Sequence, residues 1–343
     1  MKVLVSFKPK SKYDNFEGTR LRKTIKGALE ISDISYAVSE DEYFDVAHFI
    51  SPDDELKITL LKDKGIPVVL SALYTENDPT CAYLEYRKKD KKMVIRAKAM
   101  RVLNKADLVL VPTLAAKEFL ISNGVSSLVE VVEPGTNLSR FNILREDEKE
   151  IFYRYFGEVK ERKVVISIGS YDNVDGINAF IKAAERNPSV SFYYFAQDNP
   201  KNSWKIRFRL RKAPKNIRFE TIPPDDVYRS ALINADVVTY IGYDLMGVTS
   251  LLDAMASHSE IVVRKQPLLE GILTDEVNCH LGQYSETIAD IIADVINNNI
   301  ASTSEGAFLK ASTMGLDVLG AKLKDIYQKL VMKDFLEEEN SND

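Results

Sequence analysis

The sequence predicts an α/β protein built from two doubly wound, Rossmann-like domains in tandem. Short β-branched runs alternate with longer amphipathic segments, the 343 residues suffice for two domains of ordinary size, and the alternation restarts after a charged stretch near the middle. Strands alternating with helices imply parallel sheets covered on both faces. Such sheets bind their ligands beyond the carboxyl ends of the strands.

In the first half, the runs at 2–7, 44–50, 67–73, 107–112 and 129–132 read as strands separated by helices. Residues 141–163 are dense in charge and aromatic side chains, and a second series follows at 164–169, 191–196, 216–221, 236–241 and 260–264. The expected domains are therefore 1–158 and 159–315, facing each other across a cleft. A closing helix at 316–336 is long enough to return to the first domain, and an acidic tail at 337–343 is expected to be disordered.

A hydrophobic content of 45% supports a large core. The formal charge of -5 is mild, and the last ten residues alone carry five acids and no base, which leaves the body close to neutral. Cys81 and Cys279 are too few and too far apart for a disulfide framework or a zinc site, so a reducing, cytoplasmic compartment is expected. No apolar run approaches the length of a membrane span, and Lys8, Lys10 and Lys12 interrupt the start before a signal-peptide core can form.

The runs ADLVLVPTLAAKEFLISNGV and VVEPGTNLSRFN, at 106–142, resemble the end of the first domain in family 4 retaining glycosyltransferases with the GT-B fold. The second half continues the likeness with VVISIGSYDNVDGINAFIKAA, KAPKNIRF, NADVVTYIGYDLMGVTSLLDAMAS and VVRKQPLLEGILTDEVNCHLG. The pattern is most similar to the branch that builds diglycosyl-diacylglycerol in bacterial membranes. The resemblance implies an acceptor-side first domain and a donor-side second domain. Hexose would pass, with retention, from a nucleotide-diphosphate sugar to a membrane glycolipid or related acceptor, without metal or other cofactor.

Independently of the family, Gly169 ends a strand and Gly176 opens a helix, so backbone amides there can face a phosphate with help from the helix dipole. Glycines that merely close tight turns explain the same residues. Ser170 follows the first of them. A leaving diphosphate needs fixed positive charge, which the family supplies with an Arg and a Lys at this turn. Here Val174 and Asp175 occupy those places. One lost donor of that kind costs roughly 2.7 to 4 kcal/mol of transition-state stabilisation.

The family also carries two glutamates with seven residues between them, and on DAMAS they fall at Leu245 and Asp253, with Asp244 adjacent to the first. Asp244 and Asp253 are the catalytic candidates. Gly169, Ser170, Asp253, Glu270 and Asn278 are the donor-binding candidates that the resemblance implies, although a solvated helix and a turn explain the last two equally well. On the acceptor side, Gly18 and Arg20 resemble a Gly-x-Arg turn. Thr75 and Glu76 match a turn whose histidine is here Leu73. His48 is more often a satisfied core histidine than a catalytic one, and His258 and His280 receive no role.

Residues 87–105 hold nine bases and one acid, Asp90. If the segment is helical, Met93, Val94, Ala97 and Met100 form an apolar side while Lys91, Lys98 and Lys105 share a face. Arg87, Lys88, Lys91, Lys92, Lys98 and Lys105 are thus candidates for contact with anionic lipid at the inner membrane face, against the commoner alternative of a solvated helix face. The segment WKIRFRLRK at 204–212 alternates apolar and basic residues and reads as a strand or surface ribbon, although relatives are helical there. Basic residues interleaved with Trp204 and Phe208 suit single-stranded nucleic acid in principle, but no nucleic-acid-binding fold accompanies them, and no nucleic-acid partner is expected. Two functions follow: an active hexosyltransferase, or a catalytically degenerate relative that serves as a protein partner of an active one.

Overall fold

The structure is a computed structural model, and it describes residues 1–7, 16–72, 81–142, 146–171, 174–196, 204–242 and 248–332. The chain divides into two compact units, Met1–Gly135 together with the chain from Met314 onward, and Thr136–Thr313.

The first unit runs β1 (Lys2–Ser6), α1 (Phe16–Ile31), β2 (Ser35–Ala37), β3 (Val46–Phe49), α2 (Glu55–Asp63) and β4 (Val68–Ser71). It continues through β5 (Leu84–Arg87), β6 (Lys92–Ile95), α3 (Ala97–Leu103), β7 (Leu108–Val111), α4 (Leu114–Ser122) and β8 (Leu128–Val131). Six strands form a sheet in the order β2-β1-β3-β4-β7-β8, parallel throughout. Every residue of β3, β4 and β7 is buried, as expected of strands covered on both faces. The order reverses between β1 and β3, which places the unit's switch point there.

The second unit contains α5 (Ser139–Asn142), α6 (Glu146–Phe156), β9 (Val164–Gly169), α7 (Val174–Arg186), β10 (Ser191–Ala196), α8 (Trp204–Arg211), β11 (Ile217–Thr221) and α9 (Asp225–Asn234). Then come β12 (Val237–Tyr240), α10 (Val248–Ala256), β13 (Glu260–Arg264), a 3-10 turn at Pro267–Leu269, β14 (His280–Gly282), α11 (Ser285–Ile296) and α12 (Ser304–Ser312). Its sheet has the order β11-β10-β9-β12-β13-β14, again parallel. In sequence rank this is the 3-2-1-4-5-6 order of dinucleotide-binding folds, with the switch point between β9 and β12. The apolar face of α7 packs its buried Ala179, Phe180, Ala183 and Ala184 into the core over β9 and β10.

The final helix, α13 (Leu316–Met332), belongs to the first unit and packs on α1. Gly320 permits that crossing. A Cβ there would lie 2.3 Å from the Ala28 carbonyl oxygen and 2.2 Å from Ser32 Oγ. Leu316, Leu319, Leu323, Ile326 and Tyr327 then complete the core above β1 and β3.

Several expectations need correction. The units divide at Gly135 rather than at 158, because α6 packs against α9 of the second unit. Phe152 N donates to Ser230 Oγ at 3.0 Å, Asn234 Nδ2 donates to Lys149 O at 2.8 Å, and the Phe152 ring lies 5.1 Å from that of Tyr193. Residues 87–105 are not one helix. Strands β5 and β6 form an antiparallel hairpin, Lys91 sits in its turn at φ 51, and α3 begins only at Ala97. Lys91, Lys98 and Lys105 therefore share no helix face. Residues 204–212 are helical over Trp204–Arg211, because Ile206 and Leu210, one turn apart, both reach the core. The Gly-x-Arg segment is no turn either, since Gly18 and Arg20 lie within α1. Strands β2, β5, β6 and β14 were not anticipated. The tail at 337–343 lies outside the described residues.

Candidate functional site

At the switch point of the second unit, the buried run of β9 ends on Gly169. A Cβ there would lie 2.7 Å from the Tyr194 hydroxyl, which donates to the Ser170 carbonyl oxygen at 2.9 Å. Tyr194 thus clamps the chain where it leaves the sheet toward α7. Asp175 stands in the first turn of that helix, where a carboxylate complements the dipole. Its carbonyl oxygen accepts from Ser285 Oγ at 3.2 Å, tying α7 to the start of α11. The carboxylate therefore has a local structural use.

Asp253 occupies α10, a helix buried along its whole length, and is only 3% exposed. A buried carboxylate needs donors, and here the same unit supplies them. Thr136 Oγ1 donates to Asp253 Oδ1 at 2.7 Å, and Arg140 Nη1 lies 3.7 Å from Oδ2 while Nη2 pairs with Asp225 at 2.9 Å. Thr136 and Arg140 could not be singled out from sequence, since Thr136 stands 117 residues from Asp253 and no local spacing links them.

Glu270 follows the 3-10 turn and is exposed. Asn278 is buried and works inside its own loop, where Nδ2 donates to Ile272 O at 3.1 Å and Oδ1 accepts from Thr274 N at 2.7 Å. Between these two residues the backbone turns through Gly271 at φ 85. Nearby, Thr249 Oγ1 in the first turn of α10 and Gln266 Oε1 just beyond β13 are buried without a hydrogen-bond partner among the described residues.

Two cations at the carboxyl end of β13 escaped the sequence reading, although their place directly at the end of an expected strand was a usable signal. Arg264 is buried and straps three strand ends together, donating from Nε to Ile241 O at 2.9 Å and from Nη1 to Gln283 O at 2.8 Å. Lys265 is exposed and makes no ion pair among the described residues. Asp244, the other catalytic candidate, lies outside the described residues.

In the first unit, Gly18 lets α1 approach Phe7, whose ring would come within 2.4 Å of a Cβ there, and Arg20 is buried two residues on. Thr75 and Glu76 lie outside the described residues. His48 is fully buried on β3, with Nδ1 2.7 Å from Tyr327 Oη and Nε2 2.8 Å from Ser71 Oγ. Burial pushes its pKa down to about 3, so the ring stays neutral and each nitrogen has a hydroxyl partner. A cavity of about 30 Å³ beside it is closed by Leu110, Pro112, Val132, Leu319 and Leu323. His48 is thus a satisfied core histidine.

Of the basic candidates, Arg87 pairs with Asp90, and Lys105 bonds Glu55 at 3.2 Å and Thr59 at 2.8 Å. Lys88, Lys89, Lys91 and Lys92 are exposed at the tip of the β5–β6 hairpin, and Lys98 is exposed on α3. None of these five makes an ion pair among the described residues. Cys81 and Cys279 are free and buried, and burial raises the Cys279 thiol to about 12, far from thiolate chemistry. No cluster of metal-ligating side chains, and no helix long and apolar enough to cross a membrane, occurs among the described residues.

No family model matches the chain. The processive diacylglycerol alpha-glucosyltransferase of Acholeplasma laidlawii is 25% identical over 313 residues, which span 89% of this chain and 91% of that protein. Among solved structures, Anabaena Alr3699/HepE in complex with UDP and glucose superposes with a TM-score of 0.72 at 15% identity, over 95% of this chain and 99% of its own. Sucrose-phosphate synthase from Thermosynechococcus elongatus gives 0.68 at 13% identity, over 96% of this chain and 81% of its own. These structures share the GT-B fold with this chain, and the likeness to a glycolipid-building glycosyltransferase extends over nearly its full length.

Proposed function

We propose that this chain is a glycosyltransferase that passes a hexose from a nucleotide sugar to a membrane glycolipid or related lipid acceptor. The observation that carries the reading is the end-to-end likeness to a diacylglycerol glucosyltransferase, 89% of one chain against 91% of the other, on a GT-B scaffold. Nothing in the comparisons favours the alternative of a non-catalytic partner.

In this reading the donor sits beyond the carboxyl ends of β9, β12 and β13. The turn after Gly169 and Ser170 would offer backbone amides to the diphosphate, and the partnerless Thr249 Oγ1 and Gln266 Oε1 supply polar atoms at the same ends. Asp253 with Thr136 and Arg140 holds the floor of this region, while Glu270 and Asn278 shape the loop beyond β13. Lys265, with Arg264 behind it, takes over the electrostatic role that Val174 and Asp175 cannot fill. The acceptor is lipid-borne, and the hairpin lysines Lys88, Lys89, Lys91 and Lys92 draw the first unit to an anionic membrane face, each by roughly 1 kcal/mol.

Titration calorimetry of the full chain with UDP and UDP-glucose tests the donor half, and transfer of labelled glucose into extracted lipid tests the reaction. Binding tighter than millimolar together with transfer by the purified protein is expected. Donor binding without transfer would favour the non-catalytic partner, and absence of both would overturn the reading.

A further inference from the structure

The most one-sided charge in the chain lies in the second unit. Residues 201–219 contain eight Lys and Arg and not one acid. Helix α8 stands in that stretch, and its apolar residues serve two opposite faces. Ile206 and Leu210 face the core cluster, whereas Trp204 and Phe208, also one turn apart, are 72% and 53% exposed. Arg211 and Lys212 flank the two rings in solvent, Arg209 stands farther round the helix where it lines a pocket with Asp175 and Glu185, and Arg209 and Arg211 make no ion pair among the described residues. The Lys212 ammonium lies 4.4 Å above the Phe208 ring.

An exposed tryptophan and phenylalanine on adjacent turns, beside exposed Arg211 and Lys212, fit a surface that is apolar at depth and anionic at its rim. The geometry points to α8 as a lipid-docking helix that seats Trp204 and Phe208 in the headgroup layer of an anionic bilayer while its arginines meet lipid phosphates. Aromatic rings with one wet edge prefer that boundary, and long basic side chains lay their stems along the apolar layer and their charges above it. A single-stranded nucleic acid fits less well. Base stacking needs open ring faces along a groove, whereas Lys212 covers one face of Phe208. This contact is separate from the hairpin of the first unit, and it stands whether or not the chain transfers sugar.

Trp204 is the sole tryptophan of the chain, so its fluorescence reports this surface directly. With the full chain and phosphatidylcholine vesicles containing phosphatidylglycerol, Trp204 emission shifts to the blue and is quenched by brominated acyl chains; with phosphatidylcholine alone neither change occurs. Arg209→Gln with Arg211→Gln weakens vesicle binding roughly thirtyfold. Both positions are exposed, and an unchanged circular dichroism spectrum verifies the fold. At saturating lipid, a variant with Lys88, Lys89, Lys91 and Lys92 changed to Ala keeps the Trp204 shift. Vesicle binding with unaltered Trp204 emission would place the contact elsewhere and overturn the proposal. So would loss of the shift in the hairpin variant, or a shift produced by a single-stranded oligonucleotide and not by vesicles.

Discussion

His48 in the first unit and Asp253 in the second are both polar side chains buried within a parallel α/β scaffold, yet each is accommodated differently. His48 gives up the possibility of charge because burial penalises it, and its partners among the described residues are the hydroxyls of Ser71 and Tyr327. Asp253 instead has a hydroxyl donor in Thr136 and a guanidinium in Arg140. Neutralisation suits a polar group that only has to be buried. A charged partner set compensates a carboxylate that burial would otherwise penalise. The contrast teaches that burial alone does not mark a site; the chemistry of the partners does.

The largest test of this contrast is Asp253→Ala, which leaves Thr136 without its acceptor and Arg140 with Asp225 as its remaining carboxylate. Urea unfolding should show a loss of about 1 to 3 kcal/mol, with donor binding lost as well. Asp253→Asn keeps an acceptor for Thr136 and should cost clearly less; equal losses would mean that the Arg140 pairing carries the whole effect and the Thr136 contact contributes nothing. Next, Lys265→Met should lower labelled-glucose transfer by a factor of about 10² to 10³ while the urea midpoint stays put. An unchanged rate would remove Lys265 from the proposed donor site.

On the other side of the comparison, His48 makes the first unit acid-sensitive. Its folded pKa of about 3 lies below the ordinary histidine value of 6.5. The unfolded chain therefore binds the extra proton in that window, and stability is full above the unfolded value and falls with pH below it. Between pH 7 and pH 5 the loss should be about 2 kcal/mol, read from urea midpoints, and His48→Gln should flatten that dependence. Smallest of all, changing the hairpin lysines to Ala should move stability by no more than about 0.5 kcal/mol while weakening attachment to phosphatidylglycerol vesicles.

Much of the scaffold was legible because buried parallel strands are continuous apolar runs. β9, β10 and β13 begin and end at the expected residues. The edge strands β2 and β14 have three residues each, too short for periodicity to register. Helix α8 misled because two apolar pairs, 204 with 208 and 206 with 210, interleave on opposite faces and imitate a period of two. The basic hairpin misled in the opposite sense, its tight turn at Lys91 hidden inside a charge run. At the site, the end of β9 was readable as a glycine leaving a strand, and Asn278 was visible as a position without its loop-stapling bonds. The partners of Asp253 come from a distant segment that only folding brings alongside.

Because α13 closes the core of the first unit, that unit is discontinuous in the chain, and protein synthesis imposes an order on it. The ribosome delivers all of the second unit before Leu316, so the intervening unit is fully emerged while the earlier one still lacks its last helix. Until Tyr327 is released, His48 lacks one of its two hydroxyl partners, and the apolar surface awaiting α13 stays uncovered. The amino-terminal half, although made first, matures last.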